Sequence, residues 1–236
     1  MTQTRRELLR AETLAEIKQI ARQQMATEGA AALSLRAIAR EMGLSAPALY
    51  RYFDSRDALV TELIVEAYTD LAAAMATAVQ SQSPTAYDAR FRAAAFAYRQ
   101  WAIAHAQDYA LIYGTPIPGY EAPRERTVAP ATQVNIVIGL VLGEALAAGQ
   151  LVIPPAYTDL TDNLQRPLAE LAAQLGEPPP PTAVILLTMS LWSHIHGLVW
   201  GELYEHFAPN IADSGELFAV EINAICQRLG LALPEF

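Results

Sequence analysis

Cysteine is nearly missing from this sequence: Cys226 stands alone among 236 residues, which excludes an intrachain disulfide framework and fits a reducing cytoplasm. Beside Ile225 on a helix-patterned stretch, its thiol reads as a small core group and not as a redox sensor. Alternating β-branched runs are almost absent and glycine is modest, whereas alanine abounds, so an all-α fold is expected. The opening residues lack the uninterrupted apolar run of a signal peptide, because Thr4 to Ala21 mixes arginine and glutamate with leucine. Two longer apolar stretches do occur, Val134 to Ile153 and Val184 to Trp200. Asn135, Glu144 and Gln150 interrupt the first and two histidines interrupt the second. Both are expected to be buried helices of a soluble protein, with no membrane partner.

The fingerprints of common enzyme chemistry are missing too. There is no GxSxG elbow, P-loop or dinucleotide-binding glycine motif, and no histidine neighbours Cys226. His194 and His196 are two apart, so a helix turns them to different sides; a helical two-histidine zinc site needs a spacing of four. No metal and no cofactor is expected. The rival enzyme reading needs a histidine–carboxylate site drawn from distant residues, such as His105 with Glu144 or Glu202. A third reading is a helical interaction protein whose turn motif, within Leu33 to Val60, binds another protein and not DNA.

Charge is distributed unevenly along the chain. The formal total is −9, yet residues 1–60 hold nine Lys/Arg against seven Asp/Glu (+2), and residues 61–236 hold seven against eighteen (−11). An N-terminal part with a positive balance can approach a polyanion that the acidic remainder discourages from sticking elsewhere. With 53% hydrophobic residues the chain can bury a sizeable core, as one or two domains.

What is present is concentrated in Leu33 to Val60, LSLRAIAREMGLSAPALYRYFDSRDALV. Ser34 suits an N-cap, and Leu35, Ile38 and Met42 then share one apolar face, with Ala39 small enough for a close helix crossing. Gly43 falls where the first helix must stop and turn. Leu44 plugs the turn, Ser45 caps the next helix, and Pro47 fits a first turn whose N–H groups lack partners. Leu49, Tyr52 and Phe53 point inward, which leaves Ala46, Ala48, Tyr50 and Arg51 facing out. Two short helices joined this way place the second in a DNA major groove.

Around this motif the pattern predicts helices over about Arg5–Glu28, from Arg56 onward past Leu71, over Phe91–His105, and a short one at Asp108–Tyr113. Asp54 and Ser55 cap the helix from Arg56. Gly114 to Pro123 reads as a loop. Further helices are expected over about Arg126–Ala148, Thr158–Leu175 with Pro167 disturbing it, Thr182–His206 and Ser214–Leu229, with the stiff tract Gly176–Pro181 between the second and third of these. No internal repeat is visible.

The motif resembles the signature of TetR-family bacterial transcriptional regulators, matched at Leu35, Ile38, Ala39, Gly43, Ser45, Leu49, Tyr50, Tyr52 and Phe53. Arg56 stands where members usually carry lysine. A second stretch, YRQWAIAHAQDYALIYGTPIPGYEAP with LWSHIHGLVWGEL downstream, resembles the C-terminal domain of the subgroup named for a Trp-His-Gly motif, here Trp192, His196 and Gly197. The resemblance implies an N-terminal three-helix helix-turn-helix domain, residues 1–60 with the turn motif at 34–53. It also implies a larger helical ligand-binding and dimerisation domain, residues 61–236.

It further implies double-stranded DNA as a partner. Ser34, Arg36, Tyr50, Tyr52 and Arg56 would hold phosphates. Ser45, Ala46, Pro47 and Ala48 would lie along the groove, the alanines and proline against thymine methyls. Arg51 is the one charged residue on the outer face of the second helix, and either a guanine edge or a phosphate suits it. One such head covers little DNA, so a homodimer on a palindromic operator is expected, repressing more commonly than activating. Thr182–His206 and Ser214–Leu229 would pair with their symmetry mates. Gly197 and Gly201 would admit a helix at close range, in the partner or in the same subunit. Aromatic and imidazole groups that share helix faces, Trp101 with His105, Tyr109 with Tyr113, and Met189 and Trp192 with His196, suit a cavity for a small hydrophobic or aromatic effector.

Overall fold

The computed structural model describes residues 4–208 and 210–231, and every regular element among them is helical. In chain order these are α1 (Arg5–Glu28), α2 (Leu35–Glu41), α3 (Ala46–Tyr50), α4 (Arg56–Gln80), α5 (Tyr87–Ala104), α6 (Ala106–Tyr113), α7 (Arg124–Ala147), α8 (Asp162–Leu175), α9 (Thr182–Leu203) and α10 (Ser214–Arg228). Short 3-10 turns occupy Ala30–Ala32 and Pro155–Tyr157.

The chain divides into two compact units. The first takes residues 1–69 and 105–131, and the second takes 70–104 and 132–236. α4 therefore begins in the first unit and ends in the second, and α6 together with the loop after it belongs with the N-terminal helices.

The first unit has a single apolar core. Ile17, Ala21 and Met25 from α1 meet Leu35, Ile38 and Ala39 from α2, Leu49 from α3, Phe53, and Leu59 and Leu63 from α4. Leu111, Ile112, Ile117 and Tyr120 pack on its margin. At roughly 25 cal/mol per Å² of apolar surface, burying each such leucine or isoleucine contributes about 1.5–3 kcal/mol, so α2 and α3 are held rigidly.

In the second unit α9 contacts α5, α8 and α10. Phe96 of α5 meets Phe218 of α10 edge to face at 5.3 Å, and a smaller cluster joins Leu168 and Ala172 of α8 to Ile185 of α9. α7 and α9 are both long and apolar enough, by length and composition, to cross a bilayer. Each buries one apolar face: Val134, Ile138, Val141 and Leu142 on α7, and Val184, Leu187, Ile195 and Val199 on α9.

Helix ends differ from the sequence expectation where caps decide them. α8 starts at Asp162 and not near Thr158, because Pro155–Tyr157 forms its own 3-10 turn and Thr161 takes the extended N-cap backbone. α8 continues through Pro167, and α7 through Pro130. α9 stops at Leu203, with Glu205 at φ 58° just beyond it.

Candidate nucleic-acid interface

α2 and α3 form a helix-turn-helix whose geometry follows from its caps. The Ser34 hydroxyl accepts from the Ala37 amide at 3.3 Å, and the Ser34 amide donates to Gln24 Oε1 at 3.4 Å, which ties the start of α2 back to α1. After α2 the chain reverses at Gly43, whose φ of 66° is costly for any residue with a Cβ. The Leu44 amide then reaches back to the Ala39 carbonyl at 2.8 Å and closes the turn. Ser45 sits at the N-cap of α3 with no side-chain hydrogen bond there, so its backbone carbonyl alone opens the helix, accepting from Ala48 at 2.9 Å. Pro47 lies in the first turn, where it removes no needed donor.

α3 is only one regular turn, with Arg51 as its C-cap. Leu49 and Phe53 are buried, and Tyr50 is 41% exposed beside an exposed Arg51. Arg36, Ser45 and Pro47 are also exposed, whereas Ser34, Ala46, Ala48 and Tyr52 are half-buried.

Arg56 is different. Its Nη2 donates to the carbonyls of Ala30 and Ala31 at 3.0 and 3.1 Å, and its Nη1 lies 3.5 Å from Asp57. The guanidinium thus braces the segment that leads into α2. Ser55 caps α4, its hydroxyl accepting from the Ala58 amide at 3.0 Å.

The seven residues expected around an effector fall in both units. In the second, Trp192 and His196 stack at 5.0 Å with planes 17° apart, and His196 Nδ1 is 3.0 Å from the Tyr98 hydroxyl. Burial pushes the His196 imidazole below its ordinary range. Trp101 is buried, and Met189 is 48% exposed on the outer side of α9. In the first unit, Tyr109 is buried and lies 5.2 Å from Tyr113, which meets Tyr68 edge-on at 5.7 Å. His105 is exposed at the N-cap of α6. The second unit also holds a cavity of about 240 Å³ bounded by Tyr157, Leu187, Ser190, His194 and Arg228, and none of the seven lines it. Tyr98 was not among those candidates, although it lies three residues before Trp101 on the same helix.

Comparison with known proteins settles the family. Residues 18–63 match the family described as bacterial regulatory proteins, tetR family. Residues 91–225 match the tetracyclin repressor-like C-terminal domain. The HTH-type transcriptional regulator Rv1816 of Mycobacterium tuberculosis is 35% identical over 209 residues, covering 86% of each chain. The crystal structure of SCO4313 is 38% identical, with a TM-score of 0.75 over 95% of this chain and 100% of that one. The chain belongs to the TetR family. PfmR of Thermus thermophilus, a TetR-family regulator only 18% identical, shares the fold with a TM-score of 0.59 over 92% of this chain and 99% of that one. The protein is a transcriptional regulator with a DNA-binding helix-turn-helix, and not an enzyme.

Sequence reasoning did not find the ion ladder of this TetR head. Lys18 bonds Glu66 at 3.1 Å and lies 3.6 Å from Glu62; Arg22 bonds Glu66 at 3.0 Å; and Arg126 bonds Glu62 at 2.8 Å. Arg22 Nε also grips Asp108. Burial by itself would raise the Glu66 carboxyl, but hydrogen bonds from Arg22 and Lys18 hold it below its usual range. Burial would likewise lower the Arg22 guanidinium, and Asp108 and Glu66 outweigh that and raise it. Lys18 is the one lysine in the sequence.

Proposed function

We propose that this protein is a cytoplasmic homodimeric repressor that holds a palindromic operator with two N-terminal heads and releases it when a small hydrophobic or aromatic effector binds. The observation that carries the reading is the exposure of Tyr50 and Arg51 on a motif whose neighbours Leu49 and Phe53 are locked in a shared core. A rigid platform with an outward cation and phenol can dock on a duplex without first paying to order itself. Residues 1–60 are assigned to DNA and residues 61–236 to the effector and the dimer.

The outer side of α9 and α10 supports dimerisation through these helices. Met189 is 48% exposed and Val220 56% exposed, and a Cβ added at Gly197 would meet no atom within 4 Å. A second copy packed there as a four-helix bundle would bury these groups. Two-fold symmetry then sets half-sites about one helical turn, ~34–36 Å, or a multiple of it apart. The stacked Trp192–His196 pair with Tyr98 and Trp101 is proposed as the effector's aromatic contact, and its neutral imidazole suits an apolar ligand.

The test is selection of duplexes from a random pool with the full-length protein, followed by titration against salt. A palindromic consensus whose affinity falls steeply with salt supports the reading. Recovery of no consensus, with affinity indifferent to salt, overturns it. Placing the selected site upstream of a reporter then separates repression from activation.

A further inference from the structure

The first two turns of α1 are built as a free-standing helix. Thr4 and Glu7 form a reciprocal capping box, the Thr4 amide donating to Glu7 Oε2 at 2.8 Å and the Glu7 amide to the Thr4 hydroxyl at 3.4 Å. Every residue from Thr4 to Arg10 is exposed, including Leu8 and Leu9. Three of these seven residues are arginines, and the side chains of Arg5 and Arg6 make no ion pair or hydrogen bond among the described residues.

Arg10 joins this stretch to the DNA-facing motif. Its guanidinium carbon lies 5.2 Å from the centre of the Tyr52 ring. Tyr52 directly follows Arg51, the C-cap of α3. Arg6 is one turn before Arg10 on the same helix face, about 6 Å further along the axis. Continuing along that face, Leu14 packs on the head's core, as Tyr52 does. The face that is apolar at Leu14 is thus cationic at Arg10 and Arg6, where it projects beyond the packed body. A guanidinium lying over an aromatic face keeps its N–H edges available to an anion.

We propose that Arg6 and Arg10 form a second phosphate clamp, holding the DNA backbone just outside the stretch that α3 reads. The clamp rests on the DNA-binding reading above, and it contacts phosphate without reading bases. Its partner is the flanking duplex of each half-site, so the protein covers more backbone than its helix-turn-helix alone would.

The experiment uses the full chain and a duplex selected by the wild-type protein, with a scrambled duplex of equal length. Affinity is measured against salt for wild type, Arg6→Ala, Arg6→Lys and Arg6→Ala/Arg10→Ala, with hydroxyl-radical footprints and thermal midpoints alongside. Each lost phosphate contact lowers the steepness of the log–log salt dependence by about 0.9. Arg6→Ala is expected to flatten it by about that amount per bound head. It should weaken selected and scrambled duplexes by similar factors and shorten the protected backbone at the outer edge of each half-site. Arg6→Lys retains the steepness, and the Arg6→Ala midpoint stays near the wild-type value because the exposed Arg6 side chain makes no ion pair or hydrogen bond among the described residues. An Arg6→Ala protein with wild-type steepness and footprint overturns the clamp while leaving the regulator reading intact. A wild-type protein that binds no duplex in a salt-dependent way overturns both.

Discussion

Arg22 on α1 meets Asp108 on α6 through its Nε, at 2.9 and 3.0 Å from the two carboxylate oxygens, and Asp108 is only 6% exposed. A buried carboxylate held this way stabilises only while its partner is present, because an orphaned charge keeps the desolvation cost. Asp108→Ala is therefore expected to destabilise the N-terminal unit by about 1.5–3 kcal/mol, the range for hydrogen bonds to charged groups. Urea unfolding followed by a probe in α1 measures it. The paired change Arg22→Met/Asp108→Leu should be more stable than Asp108→Leu alone, because it also removes the guanidinium left without its carboxylate.

Arg51→Ala should relax preference at one base pair per half-site if the guanidinium bonds a guanine edge, since a good bidentate pair contributes about 1–3 kcal/mol of discrimination. Repeating the duplex selection with the variant shows this as a lost consensus position. Uniform weakening over all duplexes with an unchanged consensus would make Arg51 a phosphate contact instead.

Gly197 and Gly201 look alike in the sequence and differ in the structure. A Cβ at Gly201 would run into the ring of Phe207, which folds back from the turn after α9, whereas a Cβ at Gly197 meets nothing. Gly201→Ala should cost about 1–3 kcal/mol by overpacking within one subunit. Gly197→Ala should stabilise the monomer slightly, by about 0.5–1 kcal/mol of helix propensity, while weakening self-association, read by sedimentation over a dilution series.

That contrast shows where the sequence was legible. Helix-turn-helix spacing survives in one dimension because its signals are local: a cap at Ser34, a positive-φ turn at Gly43, and apolar steps of three and four at Leu35, Ile38 and Ala39. The families matched at residues 18–63 and 91–225 agree with that reading of the fold. Partners distant in sequence were not legible. The Ala30 and Ala31 carbonyls that Arg56 meets lie 26 and 25 residues earlier in the chain, and nothing beside Arg56 announces them. Nothing near Arg22 announces a carboxylate 86 residues away. Phe207 closes on Gly201 only because α9 ends earlier than its apolar pattern suggested.

His196 makes stability depend on pH. Its folded imidazole is held below the usual range, near 6.5 for a free side chain, so the unfolded chain binds a proton that the folded chain refuses. Stability should fall as pH drops below that ordinary value and level off once the folded imidazole is itself protonated. His196→Asn, whose amide can still meet the Tyr98 hydroxyl, should flatten this part of the profile. An identical slope for wild type and variant between pH 5 and 7 would place the dependence elsewhere; the Glu66 contribution is lost only at more acid pH, below the usual carboxylate range.

Lys18, fenced by Glu62 and Glu66, is the sequence's sole ε-amine. Every other fixed side-chain cation is consequently a guanidinium, which stays charged throughout the range in which cells live. Acylating agents that mute lysine-rich nucleic-acid binders would find almost no target on this chain. Its grip on a polyanion should therefore stay constant under metabolic acetylation.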